Sequence, residues 1–194
     1  MYMEDLLFKY KNEHKPEKGC LLISEPHLPD NNFERSVIYL CEHNEKGSFG
    51  LVLNKYSDFT LNKLVPNLDF DNSVGIGGPV ENNTLHFLYR NSPPIELGVA
   101  VSDNINWGGN YEQLLDWIGD GASQEDILFF IGYSGWSEGQ LEEEIDRHSW
   151  IVYPNATEQL VFDTRKKNLW KAVLKEMGGR FSVFANYPSD PRLN

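Results

Sequence analysis

The stretch Gly132-Tyr133-Ser134-Gly135-Trp136-Ser137-Glu138-Gly139-Gln140-Leu141-Glu142-Glu143-Glu144-Ile145 constrains this chain more than any other. Ile127 to Tyr133, leading into it, is almost entirely apolar, the pattern of a central strand covered on both sides. The glycines then call for a tight turn. Ser137 with Gln140 three residues on reads as a capping box opening a helix. Leu141 and Ile145 supply that helix's inward face. Glu138, Glu142 and Glu143 sit early, where the helix dipole favours anions. A buried strand, a glycine turn and a capped helix therefore follow one another without a linker.

The rest of the chain reads as strands in hairpin-length clusters. Cys20 to Ser24 is a compact apolar run. Ser36 to His43 is apolar on both faces, which predicts a central position, and Asn44 to Gly47 is a hairpin turn into Phe49–Leu53. Further strands are expected at 74–77, 84–89, 97–102 and 150–153, with a last one at Phe181–Ala185. Helices are expected from Thr60 to Val65, from a capping box at Asn110 and Gln113, and from Thr164 to Met177, where Gly178-Gly179 ends the helix. Residues 1–18 are polar and read as a loose arm or short helix, and residues 19–194 as one domain. Runs of strands with interspersed helices predict an α+β fold with a mixed, largely antiparallel sheet. One continuous core is expected, containing Leu22, Val37, Leu40, Val52, Phe129, Ile131, Leu141, Trp170 and Leu174.

Charge narrows the function classes. The formal net charge of −12 over 194 residues argues against a large nucleic-acid footprint, so no direct duplex DNA binding is expected. No apolar run is long enough to span a bilayer, the N-terminus lacks the apolar core of a secretory signal, and the two cysteines, Cys20 and Cys41, read as free thiols. These features predict a cytoplasmic protein without membrane association. The five histidines lack metal-ligand spacing, so neither metal nor cofactor is expected. Phosphate-loop and dinucleotide signatures are absent. Gly132-Tyr133-Ser134-Gly135 approaches a nucleophile elbow, with a glycine one position off.

Two candidate surfaces remain. Gly77-Gly78-Pro79 and Gly132-Tyr133-Ser134-Gly135-Trp136 are both glycine turns at strand ends, and Gly77 to Val80 and Gly132 to Gln140 are expected to lie close together as the main functional surface. Each reads as a tight packing corner or an anion-binding nest of amides, the corner being favoured. The second is a polar cluster of Asp30, Arg35, His43 and Asn54, in which Arg35 is expected to clamp Asp30. Cys41 and His43, two apart on one strand, would share a face. The preferred reading for them is a buried thiol and a histidine bound to a backbone carbonyl. Lys167, Lys171 and Lys175 read as a solvated helix face.

With Leu21-Leu22-Ile23-Ser24-Glu25-Pro26, Phe33-Glu34-Arg35-Ser36-Val37, Leu53-Asn54-Lys55, Gly77-Gly78-Pro79-Val80, Gly132-Tyr133-Ser134-Gly135-Trp136 and Asp190-Pro191-Arg192-Leu193-Asn194 in this order, the chain resembles the AlgH/YqgE family of bacterial proteins from about residue 19 onward. Departures are small: Ser24-Glu25 replaces a smaller, less acidic pair, and Tyr56 stands where proline is usual. The resemblance implies a strongly bent, partly barrel-like sheet surrounded by helices, and a transcriptional-regulator label rooted in one branch. It implies no catalytic residues. The expectation is a non-catalytic binding or regulatory protein acting through a protein or small-molecule partner. The alternative is an enzyme using His43, Arg35 and Asn54.

Overall fold

Val37, Tyr39 and Cys41 alternate with Ile38 and Leu40 along one strand, and all of them are fully buried. A strand apolar on both faces needs a layer on each side, and that requirement organises the molecule. The computed structural model describes residues 10–65, 73–163 and 168–188. Its strands are β1 (Leu21–Ser24), β2 (Val37–Asn44), β3 (Gly47–Val52), β4 (Tyr56–Thr60), β5 (Ser73–Ile76), β6 (Val80–Tyr89), β7 (Val99–Ala100), β8 (Asn106–Trp107), β9 (Ile127–Ser137) and β10 (Trp150–Tyr153). They form one sheet in the order β10-β1-β2-β3-β9-β6-β8-β7, with β4 and β5 attached beside β9. Every pairing is antiparallel except β5 on β9, so the sheet is mixed, as the sequence predicts. It curls without closing, since β10 and β7 each end it with one neighbour.

The helices are α1 (Leu61–Leu64), α2 (Tyr111–Gly119), α3 (Gln140–Asp146), α4 (Glu158–Phe162), α5 (Leu169–Met177) and α6 (Gly179–Phe184). They divide the buried residues into three clusters rather than the single core expected. Leu22, Ile38, Leu40, Val52, Trp136 and Trp150 meet Leu141 of α3 on one face. Val37, Tyr39, Leu51 and Ile151 meet Trp170, Leu174 and Phe184 of α5 and α6 on the other. Phe87, Tyr89, Ile127 and Phe129 meet Leu114 and Ile118 of α2, with Ile131 only partly buried. The reason is the pleat: alternate residues of β2 leave on opposite faces, so the sheet itself separates the layers.

Local chemistry corrects several other expectations. Phe181–Ala185 is not a strand. Gly178 (φ 70°) ends α5 and restarts the chain as α6, placing Phe181 and Phe184 one turn apart, edge-on at 5.9 Å. Ser137 does not cap α3. It stays in β9, and the helix begins after Gly139 (φ 72°), with Gln140 Oε1 reaching back to accept from the Ser137 amide and hydroxyl. Asn110 does cap α2, accepting from the Glu112 and Gln113 amides. Gln113, however, accepts from the Glu96 amide instead of completing a box. Leu97–Ser102 shrinks to the two-residue β7, and Leu97 is exposed. The start expected for the last helix at Thr164, the arm helix before Tyr10 and the closing Asp190–Asn194 motif lie outside the described residues.

The arm is docked where it enters the described chain. Tyr10 is buried against His148, Phe181 and Phe184, and its hydroxyl donates to the His148 carbonyl at 3.0 Å. The Asn12 carboxamide pairs with the outer edge of β10 like a one-residue strand, donating to Trp150 O and accepting from Val152 N. An edge strand with free groups invites pairing with another chain, and here the arm occupies them.

Candidate functional site

The two glycine turns meet. Val80 pairs with Tyr133, and Gly77 N donates to Ile131 O at 2.9 Å. Backbone approach at this corner leaves no room for side chains. A Cβ on Gly78 (φ +155°) would sit 2.3 Å from the Tyr133 carbonyl, and one on Gly77 would sit 2.3 Å from Gly132 O. Gly77 O accepts from both Val52 N and the Ser134 hydroxyl. Ser134 is fully buried, so the near-elbow serine is a structural tie rather than an exposed nucleophile. The favoured corner reading holds for Gly77, Gly78 and Gly132. Pro79 is exposed at the rim.

An open groove of about 680 Å³ lies beside this corner. β2 contributes Glu42 and Asn44, the hairpin Lys46 and Gly47, β3 Phe49, β6 Val80 and β9 Tyr133 and Gly135. Gly47 and Gly135 leave two positions on its lining without side chains. The Phe49 ring stacks on Trp107 at 4.5 Å and lies 4.9 Å from Tyr133; His86 lies against both at 5.4 and 5.6 Å. Burial among these rings lowers the His86 pKa from its ordinary value, with the Glu81 carboxylate pulling the other way. His86 is thus held toward the neutral form.

Trp136 and Gln140 belong to a different layer. Trp136 is only 6% exposed, and it joins the cluster under α3. Its indole donates to Glu144 Oε2, Gln140 Nε2 donates to Glu144 Oε1, and Trp150 donates to Glu144 Oε2 as well. Trp136 therefore serves two sides: it joins the groove lining, and its ring packs in the α3 interface. Glu144 is thus half-buried, unlike the exposed Glu142 and Glu143 of the same helix.

The expected polar cluster is not assembled. Arg35 (φ 50°) does not clamp Asp30. It donates to Tyr187 O at 2.6 Å and lies over the Trp170 ring at 4.9 Å, while Asp30 Oδ1 accepts from the Asn32 amide in a local turn. Asn54 donates to Arg35 O and accepts from Val37 N, extending the ladder at the start of β2. His43 stands at the opposite end of β2.

A bulge also separates His43 from Cys41. Leu40 pairs with Gly50 and Glu42 with Phe49, so Cys41 is the extra residue. Cys41 stays with Tyr39 in the cluster under α5, whereas His43 crosses to the α3 face. There its Nδ1 meets Ser48 Oγ at 2.8 Å and its Nε2 lies 3.5 Å from Glu142 Oε1. Hydroxyl, imidazole and carboxylate thus follow in order, on the face opposite Phe49 and Tyr133. The expected backbone-carbonyl partner of His43 is replaced by Ser48. Burial raises both thiols, Cys20 to about 11 and Cys41 well above its ordinary value, so neither is an activated nucleophile.

Sequence reasoning placed Val80, Tyr133 and Gly135 on the functional surface but missed Glu42, Asn44 and Phe49 as groove residues. Among the hairpin residues only Gly47 carried a signal, as a turn glycine. Among the described residues no three His, Cys, Asp or Glu side chains are placed to hold a metal ion, and no helix is long and apolar enough to cross a membrane.

The AlgH-like family model matches residues 21–182. The chain belongs to the AlgH-like family. A UPF0301 protein of Cytophaga hutchinsonii is 45% identical over 180 residues, covering 91% of this chain and 98% of its own length. Another, from Chlorobium luteolum, is 37% identical and covers 94% and 98%. Among solved AlgH-like structures, the AlgH protein of Pseudomonas aeruginosa aligns with a TM-score of 0.69 at 28% identity, covering 92% of this chain and 98% of its own. Protein DIP2367 of Corynebacterium diphtheriae shares the fold, with a TM-score of 0.76 at 21% identity and coverage of 96% and 100%. The bent α+β architecture implied by the AlgH-like motifs is thus the family's own.

Proposed function

We propose that this AlgH-like chain is a non-catalytic binding protein whose site is the groove between the β2–β3 hairpin and the glycine corner. Any regulatory role then runs through a protein partner, without direct contact to duplex DNA, in the cytoplasm. The observation that carries this reading is the groove itself: an aromatic-lined trough built on a corner whose backbone tolerates no side chains. Aromatic lining with a few polar groups is what binding sites use. The acidic balance and the two raised, unpaired thiols fit a reducing compartment and a partner other than DNA.

The enzyme reading loses its residues, since Arg35 and Asn54 are engaged in backbone and ring contacts away from His43. A fragment screen read by amide chemical shifts tests the binding reading. Hits should move Phe49, Tyr133 and Gly135, and Gly135→Leu, whose Cβ would meet the Tyr133 ring at 2.9 Å and displace that wall of the groove, should suppress them. Hits that cluster instead in the cleft of about 420 Å³ between the arm, β10 and the α5–α6 junction would overturn it.

A further inference from the structure

We infer that the groove takes a cationic side chain, an arginine or lysine presented by an extended segment of a protein partner; this rests on the groove being the binding site. The first observation is Glu42. It lines the groove half-buried, and among the described residues its carboxylate has neither a hydrogen-bond nor an ion-pair partner. Lys46, on the same lining, makes no ion pair with it. A carboxylate drawn partly out of water without a partner is at a disadvantage that an incoming cation offsets.

The second observation is the aromatic lining. Phe49 lies directly across the β2–β3 pair from Glu42, with Tyr133 4.9 Å from its ring. Guanidinium and ammonium groups are attracted to ring faces, and arginine also stacks on them. An acid beside two rings is a matched setting for such a group.

The third is shape and surrounding charge. The trough runs across the ends of β2, β3, β9 and β6 and is open along that line, which suits an extended chain. Glu45 at the hairpin tip, Glu81 beside Val80 and Glu138 after β9 are all exposed at its margins. The whole chain carries −12, so a basic segment is also steered toward it.

Fluorescence anisotropy with a labelled heptapeptide alternating glycine and arginine tests this, against the same peptide carrying the neutral isostere citrulline. The arginine peptide should bind more tightly than the citrulline peptide and more tightly than free arginine amide. Glu42→Gln should weaken it by about fivefold, the size of one partly exposed charge and ring contact, and rising salt should weaken it further. Equal binding of arginine and citrulline peptides, or no loss in Glu42→Gln, overturns the cation. So does the absence of binding by the arginine peptide at millimolar concentration. Equal binding of arginine amide overturns the extended segment. Gly135→Leu separates the two readings: if it abolishes binding that ignores Glu42, the groove stands and the cation falls. If peptide binding ignores Gly135→Leu, in a variant whose melting temperature is unchanged, the groove itself falls.

Discussion

Trp136 and Trp150 donate their indole N–H groups to the same atom, Glu144 Oε2, at 2.9 and 2.7 Å, with their rings edge-to-face at 5.9 Å. One carboxylate on α3 therefore holds the end of β9 and the start of β10 together. Glu144→Ala strands two largely buried donors, and the expected loss is about 2–4 kcal/mol. Glu144→Gln keeps one accepting oxygen and should lose clearly less. Urea midpoints of the two variants check the order; equal losses would refute it.

Asn54 should behave as a piece of β-ladder. Replacing it with alanine removes partners from Arg35 O and Val37 N and should cost about 1–3 kcal/mol. Asn54→Asp should do no better, because a carboxylate can accept from Val37 N but only repels the Arg35 carbonyl. A fully stable aspartate variant would contradict this geometry.

Acidification should weaken the fold through His86. Its folded pKa is lowered by burial against Phe49, Trp107 and Tyr133, only partly opposed by Glu81. The unfolded state therefore binds the proton more readily, and stability is lost as the pH falls from about 6.5 through the folded value. Glu25 works in the opposite sense at lower pH, since burial raises its carboxyl. Comparing His86→Gln with the parent isolates the histidine. The parent should show the steeper loss of melting temperature between pH 7 and pH 5.5, and parallel curves would refute it.

Cys20 and Cys41 should react slowly with a thiol reagent in the native state. Both are buried, with Cys20 held at about 11 and Cys41 also raised well above its ordinary value, so thiolate is scarce. They lie in clusters on opposite faces of the sheet. Two thiols should appear rapidly on unfolding, without reductant. A native burst of one equivalent would count against this.

Two glycines make a matched pair of controls. Gly78→Ala forces a Cβ into the Tyr133 backbone at a positive φ and should abolish or cripple folding, beyond about 4 kcal/mol. Gly119, at the end of α2, has nothing within 4 Å of an added Cβ. There alanine should stabilise by up to about 1 kcal/mol. Thermal melts distinguish them directly.

Much of the fold was legible because it rests on period. The alternation in β2, the run in β9 and the spacing of Trp170, Val173 and Leu174 each named an element and its buried face. The juxtaposition of Gly77-Gly78 with Gly132 was legible too, since glycine at strand exits signals close backbone approach. Partner identities were not. Arg35 chose a carbonyl and an indole over Asp30, and Glu144 chose two tryptophans over water, through contacts between residues far apart in sequence. α6 was missed because Phe181 to Ala185 is too short for strand and helix periods to differ.

The unpaired Cys41 carries a further consequence. Glu42 and His43 are neighbours, and in an unbroken ladder the acid would face α3 and the imidazole would face the trough. The odd residue reverses that parity. Glu42 is delivered to the trough and His43 to the helix layer, where it meets Ser48 and Glu142. An added residue between Phe49 and Gly50 would pair with Cys41, cancel the offset and turn Glu42, with its partner Phe49, toward α3. Whether this face presents an acid is thus written in the count of residues on two strands, and a single insertion would remove the carboxylate from it without changing any residue already there.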